Sequence, residues 1–186
     1  RVRHGFGYTV FEHESHGLSH ETTVFMAREE PVKLTRLRIE NRSGRPRRLS
    51  LFSYAHWALG GLISETAGQV ATAYDAQSRM IWATNPHREH YGRHVAFSAV
   101  RFDGSEKHPA AFTCDRATFL GRLADMHAPA AIVGGDELDG QDGATVDPCA
   151  CWHVSIKLPA GGTFECTHLI GEATDPPAAV ALLRNY

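Results

Sequence analysis

Leu34-Thr35-Arg36-Leu37-Arg38-Ile39-Glu40, followed by Asn41-Arg42-Ser43-Gly44-Arg45-Pro46 and then by Leu49 to Leu59, is the stretch that decides the fold class. Leu37 and Ile39 alternate with Arg36, Arg38 and Glu40, the period of a strand with one wet face. Gly44 permits positive φ and Pro46 cannot continue a ladder, so the two apolar runs read as the arms of a hairpin. The same grammar recurs outward in both directions. Leu18 to Met26 reads as a strand with Leu18, Thr22, Val24 and Met26 on one side and Thr23 and Phe25 on the other. Val2, His4, Phe6, Tyr8 and Val10 alternate on one face at the beginning of the chain.

Downstream, Val70 to Tyr74 and Arg79 to Thr84 flank the turn Asp75-Ala76-Gln77-Ser78, and His94 to Phe102 reads as a further strand. A final hairpin is expected between Cys149 to Leu158 and Thr163 to Ile170, across Pro159-Ala160-Gly161-Gly162. Residues 103 to about 147, with Pro109, Pro129 and an acidic run from Asp136 to Gly143, read as one long irregular segment, the kind that serves function or an interface. Only the tail reads as helical, with Asp175 as N-cap, proline in the first turn, and Val180, Leu182 and Leu183 on an apolar side. Many strands, few helices and short connections predict an all-β fold, an antiparallel sandwich.

A chain of 186 residues forms one domain of ordinary size and buries roughly 70% of its unfolded surface, so it needs no disulfide staple. A formal charge of −2 exerts no long-range pull on nucleic acid, and no nucleic-acid partner is expected. No apolar run reaches the roughly 20 residues that span a bilayer. The absence of an initiator Met and the abrupt helical ending suggest a piece of a longer polypeptide. The four cysteines read as partly buried thiols. Asn41-Arg42-Ser43 matches a glycosylation acceptor, but turn chemistry explains those residues better.

Several clusters invite chemistry. His13-Glu14-Ser15-His16 resembles part of a zinc-protease helix, but the histidines are three apart in a strand context, so a polar loop or solvated turn is the better reading. If Leu158 pairs with Thr163, then His153 lies opposite His168 with Cys151 and Cys166 on the same face. A flat ladder spreads such ligands rather than closing a tetrahedron, and no metal or other cofactor is expected. Seven of the 19 basic residues fall between Lys33 and Arg48, enough to hold phosphate, though an alternating wet face explains them equally simply. Glu12 and Glu14 share a strand face, as many surface carboxylates do, and nothing marks them as an acid and base.

Arg3-His4-Gly5-Phe6-Gly7-Tyr8, Phe11 to Gly17 (FEHESHG), Pro31 to Ser50, Asp115 to Arg122 and Asp147-Pro148-Cys149-Ala150 together carry a resemblance to glycoside hydrolase family 94, formerly glycosyltransferase family 36. The chain is similar to the β-domain that precedes the catalytic barrel, most of all in the phosphorylase-like region of cyclic β-1,2-glucan synthetases. The resemblance implies an antiparallel β-supersandwich, galactose mutarotase-like, over residues 1–174, and the start of a linker helix over 175–186. It implies that catalysis belongs to an (α/α)6 barrel in the same parent chain, so no catalytic residue is expected here. Glu12, His13, Glu14, His16, Arg116 and Arg122 become candidates for an interface or a sugar rim, facing the barrel or a second protomer. A β-glucan oligosaccharide is the implied ligand, and the implied location is cytoplasmic, within an inner-membrane-associated bacterial parent. Two alternatives stand beside this: a mutarotase-like epimerase using His and Glu, and a glucan-binding module using Trp57, Trp82 or Trp152 as a platform.

Overall fold

The computed structural model describes residues 1–102, 110–123, 125–135, 137–144 and 147–186. In chain order the strands are β1 (Val2–Gly5), β2 (Tyr8–Ser15), β3 (Leu18–Met26), β4 (Val32–Asn41) and β5 (Arg47–His56). A short helix α1 (Ile63–Thr66) and a 3-10 turn lead to β6 (Ala71–Asp75), β7 (Met80–Thr84), β8 (Val95–Phe102) and β9 (Ala110–Asp115). Helices α2 (Arg116–Leu120) and α3 (Ala130–Gly134) precede β10 (Gly143–Ala144), β11 (Pro148–Leu158), β12 (Thr163–Ala173) and α4 (Pro176–Leu183). The strands form two antiparallel sheets. One has the order β1-β2-β3-β4-β12-β8-β7-β6-β10, and the other has three strands, β5-β11-β9.

This topology overturns two expected hairpins. β4 pairs with β3 and β12, whereas β5 pairs with β11 in the opposite sheet, so Asn41 to Pro46 is a crossover between layers. β11 and β12 likewise belong to different sheets, and Leu158 does not pair with Thr163. Alternation specifies which face of a strand is apolar, but it does not say whether the next strand lies beside it or across the core. Asn41 shows what holds the crossovers. It is fully buried, and its side-chain amide donates to the carbonyls of Arg45 (2.9 Å), Leu158 (3.1 Å) and Pro159 (2.9 Å). It thereby fastens the β4–β5 connection to the β11–β12 connection, and a residue so enclosed is no glycan acceptor.

The β6–β7 hairpin forms as expected, and so does the strand at Leu18. The first alternating run breaks at Phe6-Gly7 into the β1–β2 hairpin, so Val2 and His4 face opposite to Tyr8 and Val10. The segment read as irregular contains β9, α2, α3 and β10; its residues 103–109, Ala124, Asp136 and residues 145–146 lie outside the described residues. Helix is therefore not confined to the tail.

Three apolar clusters hold the layers together. Between the sheets, Trp152, Val154, Ile156 and Leu158 of β11 meet Ile81, Ala83, Val100, Phe164 and Cys166 of the large sheet. On the outer side of the large sheet, α4 lays Ala179 and Leu183 against Leu34, Phe97 and Leu169. Its start is capped by Asp175, whose carboxylate accepts from the Ala178 N–H at 2.8 Å. On the outer side of the small sheet, Phe119, Leu120, Ala131 and Leu138 cover Cys149 and Cys151.

Candidate functional site

The FEHESHG stretch is mostly strand. Glu12, His13 and Glu14 lie within β2, and only His16-Gly17 forms the turn into β3, where Ser15 pairs with Leu18. Both turn residues have positive φ, 53° at His16 and 76° at Gly17, the pattern of a type I′ turn. A Cβ at Gly17 would also lie 2.9 Å from the Ser43 Cβ. The expectation that this stretch is a loop is therefore corrected: its turn chemistry is confined to two residues, and the remainder alternates.

Glu12 and Glu14 point to the outer face of the large sheet, into a cross-strand array of charges. Arg3 donates to Glu12 at 2.8 Å and approaches Glu21 at 3.4 Å. Arg42 binds Glu14 and, at 3.0 Å, Glu40. Arg36 and Arg38 clasp Glu165 at 2.6 and 3.2 Å. Each of these carboxylates is held by guanidinium. His13 points to the opposite face and lies against His20, with ring centroids 5.3 Å apart. His16 is exposed, and its carbonyl accepts from Arg47 at 2.8 Å.

Arg116 and Arg122 belong to a different region. Asp115 caps α2 by accepting from the Ala117 N–H at 3.1 Å. Arg116, at the first turn, donates to Asp147 Oδ2 at 2.6 Å, while His56 Nε2 meets Asp147 Oδ1 at 2.6 Å. Burial alone would raise the Asp147 carboxyl pKa, but the hydrogen bonds from Arg116 and His56 hold it below the usual range. Arg116 thus ties α2 to the beginning of β11, and its head group is already committed within the domain. Arg122 is exposed and unlike Arg116 begins the link to α3, which carries Leu123 and Met126. The six candidates consequently fall into two groups on different layers.

The inter-sheet space holds features that the motifs did not signal. A cavity of about 360 Å³ is bounded by His20, Thr22 and Leu37 from the large sheet and by Leu51, Phe52 and Ser53 from β5. His168 stands at its inner end. Ser98 Oγ meets His168 Nε2 at 2.8 Å, Ser53 Oγ meets Nδ1 at 3.0 Å, and the Trp152 indole N–H donates to Ser98 Oγ at 2.9 Å. Burial, aided by the nearby Lys33 charge, lowers the His168 pKa to about 4. The ring is therefore neutral near pH 7, with both nitrogens engaged by hydroxyls. None of the described residues lining this cavity is a carboxylate, so the His–Glu pairing that an epimerase requires is not formed there.

Cys151, His153, Cys166 and His168 do not share a face. Cys151 and His153 lie on the outer side of the small sheet, where His153 stacks on Phe52 at 4.4 Å, whereas Cys166 and His168 face the inter-sheet space. Nor do the tryptophans form a platform: Trp57 and Trp152 are buried between the sheets and Trp82 packs beneath the α4 layer.

With two sheets, crossovers and an arginine-bound charge array in place, the class is that of an antiparallel supersandwich, and the chain belongs to the glycosyl hydrolase 94 supersandwich domain family, which it matches over residues 1–186. It is 36% identical over 184 residues to cyclic beta-(1,2)-glucan synthase NdvB of Rhizobium meliloti (strain 1021), covering 99% of this chain and 6% of that protein. Solabiose phosphorylase of Paenibacillus borealis is 29% identical over 134 residues, 71% of this chain and 17% of the relative. N,N'-diacetylchitobiose phosphorylase of Vibrio furnissii is 25% identical over 179 residues, 91% of this chain and 21% of the relative. The chain thus spans about one fifth or less of the length of these relatives.

Proposed function

We propose that this supersandwich is a non-catalytic module of a carbohydrate-active phosphorylase or glucan synthetase, covering residues 1–174 with 175–186 beginning a linker. In this reading the remainder of the parent supplies an (α/α)6 barrel that carries out the chemistry on β-1,2-glucan, at the cytoplasmic side of a bacterial inner membrane. The observation that carries the packing role is apolar exposure around α2 and α3. Leu123 is 94% exposed, Met126 56%, Ile132 49% and Val133 73%. Apolar side chains clustered at the surface mark a contact with another protein surface. Arg122, free of the Asp147 tie that holds Arg116, stands at the beginning of this stretch and supplies its charged rim.

The test is Val133→Asp and Arg122→Ala, each made in the 186-residue chain and in the complete enzyme. The melting temperature of the isolated chain should change little, because both side chains are exposed. In the complete enzyme, glucan turnover or attachment between domains should fall. Unchanged turnover together with unchanged domain association would remove this face from the interface.

A further inference from the structure

The two sheets differ in width, nine strands against three. The small sheet covers the large one from β4 to β6, where Leu37, Ile39, Phe164, Cys166, Val100, Ile81 and Tyr74 meet β11 and its neighbours. β1, β2 and β3 extend beyond it as an overhang whose inward-facing Val2 and Phe11 are 51% and 44% exposed. Beneath that overhang runs β5, the edge of the small sheet.

Edges are ordinarily guarded. β1 is short and carries Arg3 and His4. β9 is covered on its outer side by main chain: the Cys114 N–H donates to the Gln141 carbonyl and the Gly140 N–H to the Phe112 carbonyl, both at 2.8 Å. β5 has ten residues, pairs only with β11 among the described residues, and is uncharged and free of proline from Leu49 to Ala55. Charge, proline, a bulge or a covering segment is how an exposed edge avoids unwanted pairing, and among the described residues β5 has none of these along its centre. Its unpaired side faces the mouth of the 360 Å³ cavity.

We infer that the edge of β5 receives an additional β-strand, supplied by the longer polypeptide of which this chain is a part. This rests on the reading of the chain as one domain of a larger protein. Several features favour this occupant. A row of alternating N–H and C=O groups is matched by extended main chain. Sugar is a poor match, because the hydroxyls of Ser53 and Ser98 and both nitrogens of His168 already bond one another, and the lining is otherwise mainly apolar. Covalent attachment supplies the strand at high effective concentration, and the relatives are about five or more times longer than the region matched. The inserted strand carries apolar side chains on both faces over about 5 residues, since one side meets Thr22 and Leu37 and the other flanks Phe52 and Tyr54.

The experiment is amide hydrogen exchange on the 186-residue chain and on the complete polypeptide. In the isolated chain, the alternate β5 amides that do not bond to β11 should exchange rapidly at any protein concentration. In the complete polypeptide the same amides should exchange at least about 100-fold more slowly. Equal rates in the two forms overturn the inference. Slowing of the isolated chain as its concentration rises also overturns it, because a second copy would then be the occupant. A proline at whichever of Ser50 and Leu51 directs its amide away from β11 adds a second reading. It should abolish the added protection in the complete polypeptide; protection that survives would show that the cover is not a paired strand. None of these readouts depends on the α2–α3 face, so failure here is distinguishable from failure of the packing role proposed above.

Discussion

Asn41 joins two crossovers through one amide, and Ser43 completes the arrangement by donating its N–H (3.1 Å) and its hydroxyl (2.5 Å) to Asn41 Oδ1. Asn41→Ala would take a donor from the carbonyls of Arg45, Leu158 and Pro159, although Arg45 still accepts from the Ser43 hydroxyl and Pro159 from the Gly162 N–H, at a cost of about 1–3 kcal/mol. Asn41→Asp should be comparably harmful, because a carboxylate cannot donate. Denaturant midpoints measure both, and an Ala variant within experimental error of the parent would refute the clamp. His168 makes a pH-dependent prediction. Its folded pKa, about 4, lies below the unfolded value near 6.5, so the unfolded chain binds the extra proton between these limits. Stability is therefore intact above about pH 6.5 and falls as the pH drops toward 4, by something on the order of 3 kcal/mol. His153, whose pKa burial also lowers, acts in the same direction. In urea melts at stepped pH, His168→Gln should show a shallower decline through this window than the parent.

At the scale of elements, legibility followed the range of the forces involved. The β6–β7 hairpin and the Asp175-capped α4 were readable because a local turn and a cap determine them. The β4–β5 and β11–β12 crossovers were not, because proline and glycine allow both a hairpin and a corner, and the choice rests on a buried amide meeting carbonyls more than a hundred residues away. The candidate site was legible in part for the same reason. His16-Gly17 stands out in FEHESHG, but as the requirement of a tight turn; Arg116 stands out at α2, but as the partner of Asp147. His168 and Trp152 stood out singly, but the Trp152–Ser98–His168–Ser53 network did not, since its members come from four strands in two sheets. The corrected register leads to a metal prediction by a new route. With Cys151 and His153 facing away from Cys166 and His168, no tetrahedral S2N2 site can close without refolding a sheet. Elemental analysis of dialysed protein should find no stoichiometric zinc. One zinc per chain that disappears in Cys166→Ser would contradict the placement of these strands.

For the whole molecule, the distribution of charge and polarity argues for a scaffold. The outward carboxylates Glu12, Glu14, Glu40 and Glu165 are each bound by arginine, and exposed pairs of this kind contribute only about 0–1 kcal/mol apiece. Their value lies in a wet, well-compensated face. Inverting sugar chemistry needs an acid and a base separated by roughly 6.5–9.5 Å across an accessible bond, in a site that sets their pKa values apart. The cavity between the sheets contains no carboxylate among its described residues, and His168, one of the two histidines that line it, is neutral and engaged on both nitrogens. The purified 186-residue chain, incubated with linear or cyclic β-1,2-glucans and phosphate, should therefore release no sugar phosphate and no free sugar. Chromatography of the products checks this directly. Glu12→Gln and Glu14→Gln serve as the discriminating variants, since turnover that vanished in either would place chemistry on the charged face and overturn the reading of this domain as a non-catalytic support.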